Sequence, residues 1–83
     1  MSNITIYTSS FCPYCTQAVR LLNKKNIEFT EISISQEPEK RAEMIQKSQR
    51  TTVPQIFNGE THIGDCMEIY GFESAGKLDD LLA

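Results

Sequence analysis

Apolar and polar residues alternate along residues 27–34, "IEFTEISI", the period-two pattern of a strand with one buried face. A second strand is predicted over Ile4 to Thr8, "ITIYT", from its β-branched and aromatic residues. Between them the period changes. From Tyr14 to about Lys25, Ala18, Val19, Leu21 and Leu22 recur at helical spacing, with Pro13 in the first turn, where a helix tolerates proline. Pro38 opens a further predicted helix, running to about Gln49, with Ala42, Met44 and Ile45 as its apolar side. A short strand follows over Pro54 to Phe57. Asn58-Gly59 is then the strongest two-residue hairpin signal, since both positions favour positive φ. "ETHI" is the return strand and Gly64 stops it. A short helical segment begins near Cys66, and a last helix runs from about Ala75 to Leu82. The predicted order is β-α-β-α-β-β-α. The first β-α-β unit should be parallel with a right-handed crossover. An α/β fold follows, a four-stranded mixed sheet with helices on both faces, as a single domain over residues 1–83.

The length agrees, because 83 residues leave no room for a second core. The net charge of −3 argues against nucleic acid as the main partner, since phosphate binding needs a concentrated basic face. Arg20, Lys24 and Lys25 are expected on a solvated helix face. No apolar run approaches bilayer-spanning length, so no membrane partner is expected. The start, "MSNITIY", lacks the basic and apolar regions of a signal peptide, which makes the cytosol the expected setting. Thiols stay reduced there, and three cysteines leave one unpaired in any disulfide framework.

The chemistry then concentrates on "FCPYC". Cys12 falls at the N-cap of the first predicted helix, where unpaired N–H groups and the helix dipole favour a thiolate. The thiolate is the species that attacks disulfides, so Cys12 is the candidate nucleophile. Cys15, three residues on and on the same face, suits a resolving role, with Cys12 more exposed and Cys15 partly buried. Two other readings compete: a fixed structural disulfide, and a zinc set completed by His62 and Cys66. Pro13 is poorly placed for a zinc knuckle and His62 is expected to be exposed on an edge strand. A reactive dithiol without a metal is the preferred reading.

"CPYC" after a strand, "TVP" at Thr52 to Pro54 and "G-x-C" at Gly64 to Cys66 occur in order. Together they resemble the dithiol glutaredoxins, a resemblance that covers essentially the whole chain, including "KRAEMIQKSQRTTVPQIF" and "GKLDDLL". It implies a thioredoxin-like fold with Pro54 in cis, facing the dithiol. It also implies glutathione as co-substrate, with no bound cofactor. Tyr14 would line the groove, and Thr52 and Val53 would hold the cysteinyl part. The backbone at Cys66 and Met67 would take the γ-glutamyl carboxylate, and Arg41 the glycine carboxylate. Implied partners are disulfide-bearing or glutathionylated proteins, ribonucleotide reductase among the candidates, for a monomer.

The sequence departs from the family pattern in three places. The usual lysine shortly before the first cysteine is absent from "SSF", and no basic residue follows the second, where Thr16 and Gln17 stand. The helix end is thus left as the main source of positive potential at Cys12. Gly64-Asp65-Cys66-Met67 also replaces the usual Gly-Gly-Cys-Asp, moving the carboxylate ahead of the cysteine. Asp65, with Glu68 as rival, is therefore the expected partner for the glutathione ammonium. The activity expected is glutathione-dependent thiol–disulfide exchange. Its rivals are a thioredoxin-like donor fed by a flavin reductase and a dimeric module bridging an iron–sulfur cluster through Cys12.

Overall fold

The computed structural model describes residues 3–83, so Met1 and Ser2 of the expected domain lie outside the described residues. The elements are β1 (Ile4–Thr8), α1 (Pro13–Lys24), β2 (Phe29–Ser33), α2 (Glu39–Ser48), β3 (Gln55–Asn58), β4 (Thr61–Gly64), α3 (Cys66–Ser74) and α4 (Leu78–Leu82). They form one four-stranded sheet in the order β2-β1-β3-β4. β1 pairs with β2 in parallel and with β3 antiparallel, and β3 with β4 antiparallel. The predicted mixed sheet is thus realised.

Strand alternation sends side chains to two helical layers. Ile4 and Ile6 of β1, with Ile56 and Ile63, pack against Ala18, Leu21 and Leu22 of α1, Ile69 of α3 and Leu78 of α4. Tyr7 and Phe57 point to the other face, where Met44 of α2 covers them. The Tyr7 and Phe57 rings meet edge to face at 5.6 Å. The Tyr7 hydroxyl donates to Glu43 Oε2 at 2.6 Å, which satisfies the one polar atom of that ring at the layer's edge.

Four expectations are corrected. The hairpin turn is Gly59-Glu60, not Asn58-Gly59, and only Gly59 has positive φ (60°). Asn58 stays in β3 because it pairs with Ile4, while its Nδ2 donates to the carbonyls of Leu81 and Ala83 at 3.0 Å each. The last helix does not begin at Ala75. Gly76, at φ 73°, ends α3, and the Lys77 N–H closes back onto Phe72 O at 2.8 Å, so α4 starts at Leu78. Lys25 is not solvated, since its Nζ lies 2.7 Å from Glu73 and 2.8 Å from Asp79 and ties α1 to α3 and α4. His62 is half-buried, with its ring 5.0 Å from that of Phe57. Among the described residues, no helix is long and apolar enough to cross a membrane.

Candidate active site

The loop from β1 to α1 delivers Cys12. Phe11 turns the chain with φ 57°, and its ring is fully exposed next to the nucleophile. Cys12 is the N-cap of α1, with Pro13 in the first turn. Its Sγ accepts the Cys15 N–H at 3.1 Å, so a backbone donor at the helix start is aimed at the sulfur. Cys12 is half-buried and Cys15 is buried, at 4% exposure, rather than partly buried. Burial first, then the hydrogen bond with Cys12, pushes the Cys15 thiol up to about 12. One sulfur is therefore presented to partners and the other held back, protonated.

The Val53–Pro54 bond is cis, as the resemblance implies. It places the Val53 carbonyl 4.0 Å from Cys12 Sγ. Buried Gln55 secures this turn. Its Nε2 donates to Thr52 O at 3.0 Å and to Thr52 Oγ1 at 3.3 Å. Its Oε1 lies 2.7 Å from His62 Nε2, so the histidine carries its proton on Nε2. Burial lowers the His62 pKa, with Arg50 adding to the effect. The zinc set is not assembled. His62 is spent on Gln55, and no group of three or more possible ligands that could hold a metal lies together among the described residues.

Beside Cys12 opens a recess of about 300 Å³ lined by Tyr14, Thr52, Val53, Pro54, Asp65, Cys66 and Met67. Seven of the eight expected glutathione contacts converge there. Arg41, exposed on α2, is not among the lining residues. The far wall is the start of α3. Asp65 Oδ1 accepts the Glu68 N–H at 2.9 Å, while Glu68 Oε1 accepts the Asp65 N–H at 3.1 Å, a reciprocal capping box. Gly64 makes room for it, because a Cβ there would lie 2.8 Å from that of Glu68, on a backbone at φ 147°. Cys66 is buried. Burial, followed by the Asp65 carboxylate and Cys12, pushes its thiol up, so it is no rival to Cys12.

Arg50, which the sequence reading passed over, braces this wall. Its guanidinium engages both carboxylate oxygens of Glu68, and Nη1 lies 3.6 Å from Asp65 Oδ2. The readable signals were an arginine directly before "TTVP" and the Asp-x-x-Glu spacing of a capping box. The Arg50 hydrogen bonds hold the Glu68 carboxyl below the usual carboxylate range. A depressed folded-state pKa gives stability that is complete above the unfolded value and is lost as pH falls through the folded one. Urea midpoints of the native protein should therefore drop between about pH 5 and pH 3, and less steeply in Arg50→Gln. Equal slopes would show that the pair contributes nothing, as many part-exposed pairs do.

The fold and the site together define a thioredoxin-like protein with a dithiol at a helix start and a cis-proline turn opposite. The comparisons with known proteins narrow this class. The glutaredoxin family model matches residues 4–63. A glutaredoxin of Pseudomonas aeruginosa is 49% identical over 83 residues, covering 100% of this chain and 99% of that one. The solution structure of a Brucella melitensis glutaredoxin is 51% identical, with a TM-score of 0.84 over 99% of this chain and 89% of that one. A buckwheat glutaredoxin–glutathione complex is 25% identical, with a TM-score of 0.86 over 98% of this chain and 76% of that one. The chain belongs to the glutaredoxin family, whose members are thiol oxidoreductases.

Proposed function

We propose that this protein is a glutathione-dependent thiol–disulfide oxidoreductase. The observation that carries the reading is the recess walled by the cis-Pro54 turn and the start of α3, with Cys12 Sγ against Val53 at its edge. Glutathione is an extended peptide with two carboxylates and an ammonium. The Thr52–Val53 backbone suits pairing with its cysteinyl part, a miniature strand addition. The unpaired N–H groups at the α3 start suit a carboxylate. The buckwheat relative is a complex with glutathione, which favours the same ligand here.

The chemistry is two exchanges. The Cys12 thiolate attacks the glutathione sulfur of a protein–glutathione mixed disulfide. The old S–S bond breaks and the protein thiolate leaves, to be protonated by solvent. A second glutathione thiolate then attacks the glutathione sulfur of the Cys12 adduct, yielding oxidised glutathione and the Cys12 thiolate. With a protein disulfide, Cys12 forms the mixed disulfide and Cys15 displaces the second protein thiol, leaving a Cys12–Cys15 bond for two glutathiones to reduce. The protein contributes the alignment of the sulfurs and the backbone donor aimed at Cys12.

Asp65 is the better candidate than Glu68 for the glutathione ammonium. Glu68 is spent on Arg50 and the Asp65 N–H, whereas Asp65 lines the recess and keeps Oδ2 only 3.6 Å from one guanidinium nitrogen. Asp65→Asn preserves the cap. It should raise KM for a glutathione mixed disulfide roughly fivefold, about 1 kcal/mol for a part-exposed ion pair, with kcat unchanged. An unchanged KM would remove Asp65 from the contact. The function itself is tested by following NADPH oxidation. Consumption is expected through glutathione reductase and glutathione; consumption only through thioredoxin reductase would reject the proposal.

A further inference from the structure

We propose that Glu31 is the proton acceptor that activates Cys15 for the resolving step. The inference rests on the dithiol part of the proposed function and concerns the groove on the side of Cys12 away from the glutathione recess.

Cys15 presents a chemical problem. Its thiol is buried, and burial together with the Cys12 hydrogen bond holds it protonated. A protonated thiol is a poor nucleophile, so resolution needs a base. The sheet supplies one. Along β2, alternation sends Ile32 towards α2 and Glu31 to the opposite face, the side of the sheet on which α1 lies. Glu31 stands opposite Ile6 in the β1–β2 register. The hydroxyl of Thr8, also directed to that face, donates to Glu31 Oε2 at 2.9 Å and fixes the carboxylate. Glu31, Thr8, Ser9, Cys12 and Cys15 then line one open cavity of about 420 Å³. Both groups line that cavity, which is open to solvent, so a water in it would carry the proton from thiol to carboxylate.

The charges around the cavity favour this role. An adjoining recess adds Glu37, ahead of α2, and no lysine, arginine or histidine lines either space. No cation is there to stabilise a Cys15 thiolate directly. The Glu31 charge itself disfavours that thiolate, alongside Cys12, while the Ser9 backbone hydrogen bond favours it. Glu31 therefore keeps Cys15 silent while Cys12 attacks. It accepts the proton only as the Cys15 sulfur moves onto Cys12. In that step the Cys15 S–H bond breaks towards Glu31 and a Cys15–Cys12 bond forms. The Cys12–substrate bond breaks, the substrate thiolate leaves, and Glu31 returns its proton to solvent. The dithiol is oxidised by two electrons and the substrate disulfide is correspondingly reduced.

A chromogenic aryl disulfide separates the two steps without glutathione. Cys12 attack releases the first aryl thiolate, and Cys15 resolution releases the second. Cys15→Ser should show the first release alone. Glu31→Gln keeps an acceptor for Thr8 and sits at an exposed position. It should leave the first release unchanged and slow the second on the order of 10²-fold. That deficit should shrink as rising pH lets hydroxide do the same work, with Cys12 and Glu31 the ionisable groups that face Cys15. An unchanged second release, or equal slowing of both, would overturn the proposal. A single release from the wild type would overturn the resolving role of Cys15 and the proposal with it. Because glutathione takes no part, none of these outcomes can be confused with a failure of glutathione dependence.

Discussion

Cys12→Ser is expected to lose thiol–disulfide exchange on the order of 10³-fold or more in kcat/KM, with the fold intact. The reason is chemical rather than structural. Cys12 is half-buried and belongs to neither packed layer, so a serine of similar size fits at the N-cap. What disappears is, among the described residues, the only sulfur that is both accessible and offered a backbone donor, the Cys15 N–H at 3.1 Å. Neither other cysteine can substitute, because Cys15 and Cys66 are buried and burial pushes both thiols up. The measurement is reduction of a glutathione mixed disulfide, with a circular dichroism spectrum to show the fold. Activity within tenfold of wild type would move the nucleophile to another residue.

Cys15→Ser should divide the activity. Reduction of glutathione mixed disulfides needs only Cys12 and should persist within a few-fold. Reduction of protein disulfides by the dithiol route should fall on the order of 10²-fold, because the mixed disulfide on Cys12 then waits for an external thiol. The substitution exchanges a buried thiol for a hydroxyl and should cost about 1–3 kcal/mol of stability, read as a lower urea midpoint. Loss of both activities in a folded variant would contradict the assignment of separate roles.

The helical spacing from Tyr14 was legible because burial on one face of α1 writes a period into the chain. The strand in residues 27–34 was legible but its single buried face was not, since β2 spans only Phe29–Ser33, with Ile27 and Phe29 packing in one layer and Ile32 and Ile34 in the other. The dithiol at a helix start and the recess-lining residues were legible through their motifs. What was not legible depended on partners distant in sequence. Asn58-Gly59 carried a strong local turn signal, but pairing with Ile4 and hydrogen bonds to the last residues kept Asn58 extended. The Ala75 helix start failed because Gly76 takes positive φ and splits the segment. Lys25 looked solvated because its acidic partners, Glu73 and Asp79, lie far along the chain.

The same holds for the site. Arg50 sits beside a recognised motif, yet its use is set by Glu68, eighteen residues on. Glu31 looked like one polar position in an alternating strand. Only the parallel pairing of β1 with β2 brings it to Thr8 and to the cavity that Cys15 lines. Arg41, a position carried over from a family pattern, lies on exposed helix surface and is not among the residues that line the recess.

The central claim is that Cys12 exchanges with glutathione in the recess beside it. Incubating Cys15→Ser with oxidised glutathione and mapping the adduct by mass spectrometry tests it most directly. A single glutathione on Cys12, released by added reduced glutathione, is the predicted result. An adduct on Cys66 instead, or no adduct on a folded protein, would contradict it.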